Sequence, residues 1–495
     1  MTRKQSAPIR NICRVPGGQL PVAIVGGGYS GTILAVELAR KGIECLLIDG
    51  SGRTGRGTAY STIEPAHLLN VPAQRMSAFA DQPDHFSKKF ASEGGDPTGF
   101  AERRFYGRYL DEILEAAIAG GKVRSLNCNA RSAKRDGLGW AIGLDDGRTL
   151  GASALVLAMG NQSPAPLEAL GDAGPHYIAD PWGEGVRPAI DETIRSGGDV
   201  FLLGTGLTMI DTVLSLHSEG FEGNILAMSR RGQTPRSHAP VEPAPVEFDD
   251  LPSGDLIGLW RWLRRRGAEV GWRAAVDSLR PHSHALWQGL TIEQQRRFLR
   301  HARPYWDVHR HRIAPRVGQQ IAQLIGDGRL HIGAGRIVVA RDIGNAIEVK
   351  VRRRGAKSTE TRNFELLINC TGPLHAIGRT RDELLRSLLD AGEAAPDPLG
   401  IGLAVGDSAK VAGADRLWAM GSLTKGRYWE IIAVPDIREQ AAVIAADIAG
   451  ELGHDRPRQT GKPGEGDLVA AAPKIAVPPN AATATKSRSC DYPQT

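Results

Sequence analysis

Cysteine is scarce and scattered: the 495 residues include five, Cys13, Cys45, Cys128, Cys370 and Cys490. No two have CxxC spacing, so neither a redox-active dithiol motif nor a zinc knuckle is present. An odd, dispersed set suits a reducing cytoplasm. No apolar run approaches the ~20 residues needed to span a membrane. The N-terminus is basic but has no apolar h-region before the first strand, so no secretory signal is read. No Lys/Arg block with interleaved aromatics marks a nucleic-acid face. The net charge of +6 is modest for this length and suits anionic ligands. No residue stands out as a catalytic acid or base.

Glycine, by contrast, is abundant: 60 of 495 residues, about 12 % against a usual ~7 %. Such a chain makes many tight turns, and two of them share one logic. The first follows Val22-Ala23-Ile24-Val25, a short apolar run that reads as a buried parallel strand. Gly26-Gly27-Gly28-Tyr29-Ser30-Gly31 then opens an amphipathic helix that runs through Arg40, with Gly42 as its C-terminal stop. In this pattern Gly26 allows the turn, Gly28 lets a pyrophosphate approach the backbone, and Gly31 lets helix and strand pack closely. The helix N-terminus offers free N–H groups to phosphates. The next strand ends at Asp49. A carboxylate there can accept the ribose hydroxyls of an adenosine and would repel a 2′-phosphate.

The second turn follows Val200-Phe201-Leu202-Leu203 and reads Gly204-Thr205-Gly206-Leu207, with Met209 in place of a third glycine. That replacement implies looser helix packing. Asp211, on the ensuing helix, could cap or pair locally; the plainer reading is a solvated helix residue. The next strand ends in Ser229-Arg230-Arg231, where an acid would suit NAD. Guanidinium groups pair bidentately with phosphate, so the reading is an NADPH site with Arg230 or Arg231 on the 2′-phosphate.

The length suggests two to four domains. The fold class expected is α/β, with two Rossmann-like dinucleotide-binding domains, the second inserted in the first. Residues 20–160 and 371–450 would form the first, discontinuous domain, and 161–370 the second. The second would carry a helical insert, 236–315, holding Trp260, Trp262, Trp272, Trp287 and Trp306, five of the nine tryptophans. A domain inserted at a strand end is tolerated because its own termini lie close together. Residues 455–495, rich in Pro, Ala, Thr, Lys and Gly, read as a disordered tail.

Several local stretches carry a resemblance. They are Gly26 to Gly31, Leu69-Asn70-Val71-Pro72-Ala73, Tyr106-Gly107-Arg108-Tyr109-Leu110, Asp180-Pro181-Trp182, Gly204 to Thr208, Trp306-Asp307-Val308-His309-Arg310-His311-Arg312, and Trp429-Glu430-Ile431-Ile432-Ala433-Val434-Pro435-Asp436-Ile437-Arg438. Over roughly residues 20–450 the chain resembles the two-dinucleotide-binding flavoproteins, flavin monooxygenases and pyridine-nucleotide reductases among them. Its motifs resemble more closely a bacterial family of FAD/NAD(P)-binding proteins of mostly unassigned activity.

The resemblance implies FAD in the first domain and NADPH in the second. It implies that Gly26, Gly28, Tyr29, Ser30, Gly31 and Asp49 bind FAD. It also implies that Asn70 lies near the flavin, and that the Gly421 loop and the helix from about Asp436 face its ring. The acid that often follows this late glycine is here Ser422, so binding there would rely on backbone groups. The implied activity is hydride transfer from NADPH to FAD and then hydroxylation of a small molecule by oxygen through a flavin hydroperoxide. Two alternatives stay open: a reductase that passes electrons to another acceptor, and a non-catalytic FAD-binding redox sensor. Trp306, His309, Arg310, His311 and Arg312 are the candidates for gating or substrate contact; an equally plain reading has them packing the insert. His309 and His311, at i and i+2, do not share a helix face, and no metal site is expected.

Overall fold

The computed structural model describes residues 20–453, apart from 138, 172, 184 and 375. Cys13, Cys490 and the tail expected at 455–495 lie outside the described residues.

Alternation along one strand shows how the first core is organised. Val22–Val25 is central in a five-stranded parallel sheet, ordered Leu417–Ala419, Ala154–Leu157, Val22–Val25, Cys45–Ile48, Val123–Leu126. Successive side chains on a strand point to opposite faces. Val22 and Ile24 therefore enter one apolar cluster, with Ile33 and Leu34 of helix Tyr29–Arg40 and Ala441 and Ile444 of helix Val434–Glu451. Ala23 and Val25 enter another, with Trp140, Ile142, Leu384 and Leu385. The second face is covered by a three-stranded antiparallel sheet, Ala130–Asp136, Gly139–Leu144 and Thr149–Ala152, and by helix Glu383–Asp390. Cover on both faces is why the strand reads as an unbroken apolar run.

Seven strands form the other large sheet, in the order Glu360–Phe364, Ile347–Arg353, Leu330–Asp342, Ile225–Ser229, Val200–Leu203, Leu366–Asn369, Tyr177–Ile178. Its strands from Leu330–Asp342 to Tyr177–Ile178 pair in parallel, and the first three pair antiparallel. In sequence, all of these strands fall between Leu157 and Leu417. The fold is α/β with two Rossmann-like sheets. Between Ser229 and Leu330 the chain runs without helix as far as residue 247, so the helical part of the insert starts later than 236; it then forms helices Leu256–Val270, Trp272–Ser278, Ser283–Gly289, Ile292–Arg297, Arg303–Arg310 and Pro315–Gly326. Leu251, Val276, Leu279, Leu286 and Trp306 form a small core there.

Two expectations for helix Leu207–Ser218 meet the structure. Met209 is wholly buried in the core of the second sheet, so the helix rests on a methionine side chain where the first helix has bare backbone. Asp211 is not solvated. Its carboxylate accepts from Arg103 Nη1 and Nη2 at 2.8 and 3.0 Å, and the two side chains are only 8 % and 11 % exposed. His67 Nε2 lies 2.9 Å from the Asp211 carbonyl oxygen. This face of the helix packs against segments that precede it by more than a hundred residues, which turns an apparent surface acid into a buried ion pair.

Candidate functional site

The glycines of the first turn divide into two kinds. Gly26 has φ +102°, and a Cβ there would stand 2.3 Å from Ala158 O. A Cβ on Gly31 would stand 1.9 Å from Gly26 O. Real Cβ contacts are never so short, so both positions are closed by packing. At Gly28 a Cβ would meet nothing nearer than the Gly57 Cα at 3.5 Å. Gly28 is also the N-cap of helix Tyr29–Arg40, and no side chain caps it. The first turn thus has no side-chain cap on its N–H groups, the kind of helix start that a pyrophosphate takes up. Asp49 is drawn into the same turn: Oδ2 accepts from Gly27 N at 2.5 Å and Oδ1 from Ser51 N at 2.8 Å. The carboxylate is fixed beside the glycines, with acceptor capacity left over. These residues fit an adenosine diphosphate.

Tyr29 contributes no side chain to the cradle. Its ring is buried against Tyr60 and Tyr106, and its hydroxyl donates to Val434 O at 3.2 Å. Burial pushes its pKa well up, so it stays a neutral donor. That bond joins the first turn to the start of helix Val434–Glu451. A third segment arrives beside them. Gly421 N donates to Gln440 Oε1 at 2.8 Å, and Ser422 Oγ donates to Gly160 O at 2.5 Å. A Cβ on Gly421 would lie 3.2 Å from Ser30 Oγ. The carboxyl ends of Val22–Val25, Ala154–Leu157 and Leu417–Ala419 therefore open into one place, the usual ligand position of a parallel sheet. Asn70 is held by its backbone, its carbonyl oxygen 3.0 Å from His238 Nε2.

The second turn repeats the first. Gly204 has φ +126° and would bring a Cβ to 2.2 Å from Cys370 O, whereas a Cβ on Gly206 would meet nothing within 4 Å. Gly204 N donates to Met228 O at 2.7 Å, as Gly26 N donates to Ile48 O at 2.9 Å. Thr205 Oγ1 lies 2.8 Å from Ser229 Oγ and donates to Gln233 O at 2.5 Å. This ties the turn to the strand end that carries the two arginines. Arg230 is exposed there. The Arg231 guanidinium lies 5.4 Å from the centre of the Tyr305 ring.

Three of the five insert candidates converge on a residue to which the sequence reading gave no role. Trp306 Nε1 donates to Glu430 Oε1 at 2.8 Å, and Arg310 Nε and His311 Nε2 lie 3.1 and 3.4 Å from Oε2. The last two contacts are ion pairs in distance without hydrogen-bond geometry. Burial raises the Glu430 pKa, but His311, Arg310 and the Trp306 N–H outweigh it and hold the carboxyl at about 2. Glu430 also has φ +74°, a conformation that costs a non-glycine residue energy and persists only when its contacts fix it. The neighbouring Trp429 stacks on Trp287 at 4.8 Å, and Trp287 Nε1 donates to Gly426 O at 2.9 Å. The insert thereby grips the 426–430 segment.

The other two candidates join a different network. His309 packs edge-on against Trp272, with Nδ1 2.7 Å from Tyr305 O. Arg312 is 3 % exposed and donates to both Asp277 carboxylate oxygens at 3.0 Å. Among the described residues no group of three or more His, Cys, Asp or Glu is placed to hold a metal ion. No described helix is long and apolar enough to cross a membrane. The signal for Glu430 was an acid amid aromatic and aliphatic neighbours in the Trp429–Arg438 stretch.

Residues 23–162 match a FAD-NAD(P)-binding family. A 49-residue segment is 45 % identical to hydrogen cyanide synthase subunit HcnB of Pseudomonas aeruginosa; it covers 9 % of this chain and 11 % of that protein's length. Among solved structures, the ornithine N-hydroxylase KtzI of Kutzneria sp. 744, with reduced FAD, NADP+ and L-ornithine, aligns with TM-score 0.62 at 14 % identity, over 88 % of this chain and 100 % of that one. The thioredoxin reductase of T. acidophilum aligns with TM-score 0.50 at 11 % identity, over 88 % and 99 %. The architecture is that of the two-dinucleotide-binding flavoproteins, and at these identities the likeness speaks to fold alone.

Proposed function

We propose that this protein is an FAD- and NADPH-dependent oxidoreductase, a flavin monooxygenase that hydroxylates a small molecule. The observation that carries the reading is the pair of helix N-termini left uncapped by side chains, at Gly28 and Gly206, each followed by a strand end of opposite charge. Asp49 favours free ribose hydroxyls at the first, and Arg230, exposed at the second, favours a 2′-phosphate. When bound, FAD and NADPH supply the hydride transfer and the activation of oxygen. The chain's own residues hold and orient them. The cradle of Gly26, Gly28 and Gly31 with Asp49 positions one adenosine diphosphate, and Gly204 and Gly206 with Arg230 position the other. The insert covers the 426–430 segment and keeps water from the place where the two parts meet.

A reductase that delivers electrons to another acceptor is the second reading, because the same fold also serves a thioredoxin reductase. Cys45, Cys128 and Cys370 are free thiols, and no two cysteines have the spacing of a dithiol pair, which speaks against a dithiol acceptor route within this chain. Oxygen uptake and peroxide release by the NADPH-supplied protein, with and without small amines, separate the readings. Rapid oxygen consumption coupled to product is expected. Reduced flavin that oxygen reoxidises only slowly would remove the monooxygenase reading and leave the reductase.

A further inference from the structure

The outer face of helix Tyr29–Arg40 lines a groove that the glycine turns do not use. The groove lies between this helix, helix His85–Ser92 and helix Arg103–Ala119. It holds about 860 Å³, within the ~300–1,000 Å³ usual for small-molecule sites. Val36, Phe79 and Tyr109 give it a buried floor, and Ile113, Ala116 and Ala117 extend the apolar lining along helix Arg103–Ala119. The rim is cationic: Arg40, Lys88, Lys89 and Lys122 line the groove against a single acid, Glu112. The acids that pair with three of these cations, Glu37 and Asp81 with Arg40, Asp84 with Lys88 and Glu44 with Lys122, stand outside the lining.

Arg40 is the cation that is already fixed in place. Its guanidinium lies 4.4 Å from the centre of the Phe79 ring. Nη1 donates to Glu37 Oε1 at 3.0 Å and to Asp81 Oδ1 at 3.2 Å. Both bonds use one nitrogen, and among the described residues Nε and Nη2 donate to nothing. A guanidinium carries five donors in a planar fork, so the free edge of Arg40 matches a carboxylate. Beside it, His85 packs edge-on against Phe79 at 5.0 Å, with Nδ1 2.9 Å from the Tyr109 hydroxyl. An apolar floor under a cationic rim suits a molecule with an apolar chain and an anionic end.

We propose that this groove binds a linear carboxylate with an apolar chain, a medium-chain fatty acid. The carboxylate pairs with the free edge of Arg40, and the chain covers Val36, Ile113 and Ala116. The inference is independent of the oxidoreductase reading. Val36 and Arg40 lie eight and twelve residues past Gly28, about 12 and 18 Å along the helix, so the ligand leaves the first glycine turn free.

The test is calorimetric titration of the full chain, purified with its flavin, using octanoate, octanamide and butyrate. Octanoate should bind about tenfold more tightly than octanamide, the scale of one charge-assisted hydrogen bond. It should bind at least about tenfold more tightly than butyrate, which lacks four of its methylenes. These comparisons need no variant. Arg40→Met should erase the first difference and keep the second. Ala116→Phe, at an exposed position, fills the apolar part of the groove and should weaken octanoate by about tenfold or more, with the melting temperature unchanged. No saturable octanoate binding, equal binding of octanoate and either other probe, a charge preference that survives in Arg40→Met, or octanoate binding unaltered in Ala116→Phe overturns the proposal.

Discussion

Adding one methyl group at Gly31 or at Gly28 separates the two roles of glycine in the first turn. A Cβ at Gly31 would press into Gly26 O, so Gly31→Ala must lift helix Tyr29–Arg40 from its strand. Overpacking of this kind costs about 1–3 kcal/mol. Loss of both thermal stability and bound flavin is expected, read by melting and by the flavin-to-protein absorbance ratio. A Cβ at Gly28 makes only an ordinary contact with the Gly57 Cα at 3.5 Å, so the Gly28→Ala apoprotein should melt as wild type while flavin retention falls. Equal flavin retention in Gly28→Ala and wild type would contradict the cradle. Glu430 gives a second residue-scale prediction. Its folded pKa of about 2 lies below its ordinary 4.5, so its stabilisation is full above pH 4.5 and is lost as pH falls toward 2. That gap corresponds to about 3 kcal/mol. Glu430→Gln should be less stable than wild type by this order at pH 7, and the two should converge at low pH. Urea unfolding at several pH values checks it; a difference independent of pH would refute the assignment.

At the scale of elements, helix Arg103–Ala119 and helix Leu207–Ser218 are joined by the Arg103–Asp211 pair. Removing one partner of a buried pair strands the other charge and typically costs 3–5 kcal/mol. Asp211→Asn should lower unfolding stability by about that amount, and Arg103→Met combined with it should recover part of the loss. If the double variant is no better than the single, the stranded arginine is not the cause. This pair also shows where sequence reading stops. Each strand–turn–helix unit was legible because its signals are contiguous: an apolar run, glycines at fixed offsets, then helical periodicity. Arg103 and Asp211 are separated by 108 residues, and Trp306 and Glu430 by 124. Nothing local tells a surface acid from one that a distant helix will cover. The same limit explains Tyr29, whose place in the glycine motif suggested a ligand contact. Its ring belongs to an aromatic cluster built from residues beyond the motif.

For the whole molecule, the proposed function has two sheets with different strand-end charges sort two nucleotides within one chain. Arg230→Ala should weaken NADPH by about tenfold or more and leave NADH nearly unchanged, since a guanidinium–phosphate pair is lost only with the 2′-phosphate. Equal losses for both nucleotides would show that Arg230 supports the fold instead of selecting the ligand. The central claim, two working dinucleotide sites in one chain, is tested most directly by an anaerobic NADPH titration of the purified protein followed through its visible absorbance. The expected result is a bound-flavin spectrum that bleaches with about one equivalent of NADPH. A protein without flavin absorbance, or a flavin that excess NADPH leaves oxidised, would contradict the account.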